Sequence, residues 1–464
     1  MQADGFEPKF RTVRRFGYLA GVLLICIALL GCEGIPTKSE RSARRDLQAV
    51  TERFQPGGFQ PALPELSASS SLSNLLTYAM LNQPRIQAAY FDWAGSVERI
   101  TVERSLPDPL LTFESDITDI VTTVMPGFMQ EFPGPGKLKA AANVASATSQ
   151  ARYFAFETSV LTTALDLKRA YYNLHYLDEK VRINREMLKL VGELNRSAHA
   201  QNAVGKGTLQ DVYRAQIEED KLAVDIANLE DSRNPMLAQF KAALGLTHEQ
   251  PNPPVPTNLE FTTLNLEPDE VLATGLARNP RLKAMEAEVR MAEAEIIVAQ
   301  KSKVPDFAIG LMADAKAAPT MYRPLAAMSL PIWRDKIAAQ IAQAQVAQRA
   351  AAARLTSEQI MLTVDFAMKT FEYREITRNL KVLHDELIPK ARNSLEIART
   401  GYLAGEIDFF NLIDSQQTLL RFELAEVEGL ARREIVLTEL SLQIAGVPPE
   451  GAPVLPTQTS SKTK

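Results

Sequence analysis

"VGKGTLQDVYRAQ" at residues 204–216 and "AGEIDFFNLIDSQ" at residues 404–416 share one pattern. Each has a small-residue break, a polar position, two spaced apolar positions, an Ala or Ser, then Gln. Each sits within a long run suited to helix. From Lys137 to Ala203 there is no proline, and only Gly192 interrupts. Val160, Leu167, Leu174, Val181 and Leu188 fall at steps of seven, with Ala170, Leu177, Val191 and Ala198 on a neighbouring seam. Sustained seven-residue spacing with charges between is coiled-coil packing. At ~1.5 Å per residue the run makes roughly 100 Å of helix. Its counterpart over 334–402 carries Leu355, Leu362, Ile376, Leu383 and Ile397 at the same spacing, with Lys369 and Lys390 in two slots. Pro389 removes a hydrogen bond there and is expected to bend the helix. Two such helices require a long bundle, and the quoted stretches are where each folds back. Gly205, Gly207 and Gly405 permit the reversal. Thr208 and Asp408 can cap the returning helices. Leu209, Val212, Phe409 and Leu412 recur there, placed to seat each tip against its own hairpin or a partner's.

The tips belong to a wider duplication. Pro84 matches Pro280 at an offset of 196; Pro107-Asp108 matches Pro305-Asp306, and Pro133 matches Pro331, at 198. The tips follow at 200, and "ALGL" against "IAGV" closes the unit at 201. Slow drift of the offset means small loop insertions. Each unit reads as helix, strand, strand, very long helix, turn, helix. The first helices cover about 70–105 and 268–303, each stopping before a Pro-Asp, because the residue before proline is pushed out of the α region. Alternation then places Leu111, Phe113 and Ser115 on one face with Thr112, Glu114 and Asp116 opposite; Phe307, Ile309 and Leu311 repeat it. Return segments follow near 124–132 and 324–332. Loops near Asp119 and Ala317 join each pair.

At 464 residues, 46% apolar and 23% charged, the composition is that of a soluble protein biased towards long helices. A net charge of −5 without a basic stripe argues against a nucleic-acid partner. The N-terminus is a targeting segment: Arg11, Arg14 and Arg15 precede the apolar run "YLAGVLLICIALLGC". The run ends in Leu29-Leu30-Gly31-Cys32, which resembles the lipobox at which a bacterial lipoprotein is acylated on Cys and cleaved. Leu30 departs from the small residue commoner there, and an ordinary signal peptide with an incidental Cys is the alternative. Cleavage would leave Cys32 as the one cysteine, so neither thiol chemistry nor a disulfide stabilises the mature chain.

No catalytic constellation emerges, and no cofactor is called for. His175, His199, His248 and His384 are scattered, without metal-ligand spacing. "FPGPGK" lacks the strand–loop–helix spacing of a phosphate loop and reads as a rigid strand-to-helix turn. Two non-enzymatic classes remain: a channel, or a periplasmic coiled-coil adaptor or scaffold lipoprotein.

The duplicated units, the glycine-containing tips and the Cys32 signal together resemble the TolC-like outer-membrane efflux proteins over about residues 68–448. "QEFPGPGKL" at 130–138 is most similar to the branch paired with heavy-metal pumps of the resistance-nodulation-division type. "LIPKARNSLEIARTGYLAGEIDFFNLIDSQ" at 387–416 matches the pattern of the second tip. The resemblance implies a mainly α fold with a small β part: a long coiled-coil α-barrel, plus four strands per chain contributed to a shared trimeric twelve-stranded β-barrel. Four strands cannot close a barrel alone, and open edges are not tolerated in lipid. The resemblance further implies a homotrimer in the outer membrane, a periplasmic adaptor (membrane fusion protein) met tip to tip, and an inner-membrane pump. The chain would be a passive duct for small solutes, with heavy-metal cations one candidate cargo. Gly205, Gly207, Thr208, Leu209, Gly405, Ile407, Asp408 and Phe409 would form the docking tips.

Asp414 matches one of the family's acidic residues that ring the periplasmic entrance; a solvated helix-face charge is the alternative. The second acidic position is Asn411, and Ile407 stands where an arginine latches the closed state; both depart from the pattern. The expected organisation is a lipoprotein signal peptide (1–31), an N-terminal lipid-anchored linker (32–67), a first repeat (68–250), a Pro-rich linker (251–267), a second repeat (268–448) and a disordered C-terminal tail (449–464).

Overall fold

The computed structural model describes residues 36–54, 62–117, 121–256, 260, 268–314, 319–449 and 452–455. Cys32, the signal segment and the loop positions Asp119 and Ala317 lie outside the described residues. A leading helix, α1 (Lys38–Phe54), precedes the first repeat. That repeat runs α2 (Leu72–Asn82), α3 (Pro84–Arg104), β1 (Leu110–Ile117), β2 (Val121–Phe132), α4 (Lys137–Ala203) and α5 (Leu209–Ala243). The second runs α6 (Pro268–Arg278), α7 (Pro280–Lys301), β3 (Phe307–Asp314), β4 (Met321–Met328), α8 (Arg334–Val382), a π-helical turn (Leu383–Leu387), α9 (Ile388–Ala404) and α10 (Phe409–Thr438). A second π segment, Glu439–Ile444, ends it. The described residues are mostly helical, with four antiparallel strands.

The opening helix of each repeat is two helices, not one. Pro84 and Pro280 lack the N–H a continuous helix needs, and each begins a new helix at its first turn. The break is held by an asparagine in both repeats. Asn82 Nδ2 donates to the carbonyls of Leu244 and Gly245, and Asn279 Nδ2 to those of Gln443 and Ile444. Each break is thereby tied to the end of its own returning hairpin.

The strands form one sheet in the order β1-β2-β3-β4, antiparallel throughout. Within the chain β1 and β4 each have one unpaired edge. Leu110 pairs with Met129, and 198 residues on, Ala308 pairs with Ala327, so the two hairpins share a register. Leu111, Phe113, Phe128, Phe307, Ile309 and Leu311 are exposed on one face. Thr112 lies on the other.

α4 is the spine, packing against α3, α5, α7 and α10. Its seam is as spaced in the sequence: Val160, Leu167, Leu174, Leu177, Val191 and Ala198 are buried. The seam of the second repeat departs. Ile397 is 68% exposed, and Ile388, Ala391, Leu395, Ala398 and Tyr402 are buried instead. The π turn just before Pro389 is the reason. It inserts residues into the helical register and rotates all that follows.

Two further stretches join the core. Within the expected N-terminal linker, α1 packs on α3, and Phe54 meets Tyr90 edge-on at 5.7 Å. In the expected tail, Val454 and Leu455 are buried in the same core, and the Leu455 carbonyl accepts from Arg53.

Candidate functional site

The two tips are built from the same hydrogen bonds. The amides of Lys206 and Gly207 donate to the Gln201 carbonyl; two hundred residues on, those of Glu406 and Ile407 donate to the Gly401 carbonyl. Gly205 and Gly405 hold φ of 74° and 81°, the left-handed region that ends a helix. Gly207 is not in that region among the positive-φ glycines, and its role is closeness to Gln201. The returning helices begin on the expected caps. Thr208 and Asp211 form a reciprocal capping box, and Asp408 accepts from the Asn411 amide at 2.8 Å. Ile407 packs over Gly401.

Both tips lie at one end of the molecule and share a hydrophobic cluster that includes Leu194, Val212, Leu395, Tyr402, Phe409 and Leu412. The hairpins differ at the first residue of the returning helix. Phe409 is 1% exposed under Tyr402, with ring centroids 5.3 Å apart, whereas Leu209 is 55% exposed. The first hairpin carries Asn202 where the second has Tyr402, so Leu209 has no ring to lie against. Val204, Leu209, Tyr213, Leu403 and Phe410 give the tips an exposed apolar rim. Burial, with the nearby Asp211 carboxylate, raises the Tyr402 phenol above its ordinary range.

Three links join the hairpins side by side. Gln417 donates to Glu218 at 3.0 Å, Arg399 pairs with Glu193 at 3.3 Å, and Arg214 lies over the Phe410 ring. Gln416, the last residue of the repeated pattern, is fully buried with no hydrogen-bond partner among the described residues. Apart from Gln416, none of these was singled out in the sequence, and the cross-hairpin partners carry no local signal. Asn411 and Asp414 are exposed on the first turns of α10, and Asp414 has no ion-pair partner among the described residues.

At the other end, the sheet presents its apolar face to the surroundings. Among the described residues no helix is long and apolar enough to cross a membrane, and no group of three or more His, Cys, Asp or Glu could hold a metal ion. His384 is instead bonded to Glu426 at 2.7 Å.

A four-stranded apolar sheet at one end of a helical bundle, with two hairpin tips at the other, is the TolC-like fold. The chain belongs to the outer membrane efflux protein family, whose model matches residues 75–246 and 271–445. It is 24% identical over 268 residues to the cobalt-zinc-cadmium resistance protein CzcC of Cupriavidus metallidurans (strain CH34), covering 54% of this chain and 60% of that protein. The chain thus matches rather less than two thirds of that relative's length. Among solved structures, the outer-membrane channel OprN superposes with a TM-score of 0.70 at 18% identity, over 80% of this chain and 90% of OprN. CusC gives 0.70 at 14% identity, over 84% and 99%.

Proposed function

We propose that this chain is the outer-membrane duct of a tripartite efflux system and that three copies make one channel. The observation that carries the reading is the sheet left open at both edges beneath a bundle whose main helix has 67 residues. Open strand edges facing lipid must be paired. Three copies of four strands make a twelve-stranded barrel, within the size range of closed bacterial barrels. The helices then continue the duct into the periplasm. The tips, with their exposed apolar rim, meet the hairpin end of a periplasmic adaptor (membrane fusion protein), which couples the duct to an inner-membrane resistance-nodulation-division pump. The protein supplies no energy and performs no bond chemistry.

Heavy-metal cations are the favoured cargo, supported by the match to a cobalt-zinc-cadmium resistance protein. Such a duct needs no tight metal site, because conduction requires weak binding. Three Asp414 carboxylates around one axis would favour cations at the entrance, with Asn411 beside them.

Acylation of Cys32 fits the position of α1. Arg104, at the end of α3 just before β1, binds Glu40 at 2.6 Å, which places the start of α1 at the sheet end of the bundle. Five residues lie between Cys32 and Lys38, a reach of at most ~20 Å over the six steps. The decisive experiment reconstitutes the purified protein in planar bilayers. Discrete conductance from trimers, raised by Asp414→Ala, is expected. Monomers without conductance would sink the reading in favour of a periplasmic scaffold.

A further inference from the structure

We infer that a second copy of this chain completes the sheet in one defined register, with Met328 on β4 opposite Leu111 on β1 of the next copy. The inference rests on the channel reading and specifies the junction that reading requires.

The template lies inside the chain. A translation of 198 residues carries the β1–β2 hairpin onto β3–β4: Leu111 pairs with Phe128, and Ile309 with Ala326. The two repeats meet where β2 pairs with β3, with Gln130 opposite Ile309, Phe128 opposite Leu311 and Phe132 opposite Phe307. The same translation, forward along β2 and backward along β3, carries this junction onto the two free edges. Gln130 opposite Ile309 becomes Met328 opposite Leu111. Phe128 opposite Leu311 becomes Ala326 opposite Phe113.

Facing direction agrees with this register. Met328 pairs with Phe307, Leu111 pairs with Phe128, and Phe128 pairs with Leu311, so all share the apolar outer face. A slip of one residue would set an outward side chain of one copy against an inward one of the next.

A second observation lies just outside the sheet. At the internal junction the turn before β3 fills the groove at the start of α4. Val304 and Pro305 lie against Gly134, and Asp306 accepts from the Gly134 amide and from Lys137 Nζ, both at 2.7 Å. The corresponding place on the second repeat, from Ile332 to Asp335, opens on a cleft of about 570 Å³ lined by Ile332, Trp333, Arg334, Asp335 and Lys336. The translation assigns it to residues 106–108 of the next copy. Leu106, the counterpart of Val304, is exposed and apolar. Asp108, the counterpart of Asp306, is acidic and arrives beside Arg334 and Lys336. None of these three has an ion-pair partner among the described residues. Lys137 itself corresponds to Asp335, so the clasp at this junction runs to a flanking base. Cleft, charge and strand edge therefore call for the same occupant.

Directly opposed residues of neighbouring strands are close enough for a disulfide. The test is the full-length double variant Leu111→Cys with Met328→Cys, oxidised in outer-membrane fractions. Two slipped pairs, Leu111→Cys with Ala326→Cys and Leu111→Cys with Leu330→Cys, keep the same face, and each single variant serves as a control. We expect a reductant-sensitive covalent oligomer from the first pair, several-fold less from the slipped pairs, and none from single variants. If native mass spectrometry finds the oligomer while a slipped pair links better, or while Met328 and Leu111 fail to link, the register is overturned and the channel reading stands. If all variants and the wild type are monomers in the membrane extract, both fall together.

Discussion

The Lys369 ammonium lies 2.7 Å from the Glu439 carboxylate, in the seam between α8 and the π segment that ends the second repeat. Arg169 on α4 reaches the same carboxylate at 2.7 Å. Burial alone would raise the Glu439 carboxyl, but the two bases outweigh it and hold it below the ordinary range. Burial also opposes the Lys369 charge, yet Glu439 and Glu372 raise its pKa. The triad's stabilisation is therefore fully present between the ordinary values of the two groups. It is lost as pH falls through the lowered Glu439 value or rises through the raised Lys369 value. Glu439→Gln should cost ~2 kcal/mol, below the roughly 3–5 kcal/mol of a fully buried pair, because both bases keep partial access to water. Thermal melting of the detergent-solubilised protein should show the deficit at neutral pH and a narrowing gap at pH below the ordinary glutamate range. An unchanged gap in acid would contradict the linkage.

Lys369 and Lys390 look alike in the sequence, each a charge in an apolar slot at seven-residue spacing, but the structure treats them differently. Lys369 closes a largely buried ion pair, whereas Lys390 stands in solvent beside Glu386. Between them lies the π turn, whose change of phase also moves Ile397 outward. Pro389 announces a disturbance, but nothing local says that it will be a π turn and not a kink. The rest of the bundle was legible because period, caps and glycines all act within a few residues. The strands were legible through alternation and their repetition. Pro84 and Pro280 encode the split opening helices as plainly as Pro107 and Pro305 encode the ends. Contacts such as Glu218 with Gln417 join residues from opposite repeats, and no short-range pattern can specify them.

Glu40 should govern how α1 is strapped to the bundle. Its side chain is buried and bound by Arg104, Arg44 and Thr101. Burial pushes its carboxyl up, but these hydrogen bonds win and lower it below the ordinary range. The strap is thus complete above the ordinary glutamate range and loosens as pH falls through the lowered folded value. Glu40→Ala removes the carboxylate shared by Arg104, Arg44 and Thr101 and should release α1 to limited proteolysis at neutral pH, while the α4–α5 hairpin stays resistant. Equal protection in both proteins would refute the strap.

Phe409 and Leu209 occupy matching positions yet should fail differently. Phe409→Ala removes a buried ring beside Tyr402 and should destabilise the tip by roughly 3–5 kcal/mol. Leu209→Ala alters an exposed side chain and should change stability by less than about 0.5 kcal/mol. If the exposed rim docks the adaptor, Leu209→Ala should still reduce adaptor capture, measured by cross-linking in cells. Normal capture by that variant would remove Leu209 from the docking surface.

Gly405 offers the cleanest separation of backbone from surface. A Cβ added there meets nothing within 4 Å, so a side chain has room. The obstacle is the φ of 81°, which costs an ordinary residue roughly 1–2 kcal/mol and a β-branched one more. Asparagine visits this region far more readily. Gly405→Val should therefore distort the reversal that carries Glu406, Ile407 and Asp408, and abolish export while oligomers still assemble in the outer membrane. Gly405→Asn, with a side chain of similar bulk, should retain most export. Gly205, at φ 74° with equal open space, should give the same pair of results. Minimum inhibitory concentrations of the cargo in a strain lacking the chromosomal copy give the readout, with outer-membrane oligomer measured in parallel. If both substitutions block export equally, steric occlusion of a docking surface, and not the left-handed backbone, is what the glycines protect.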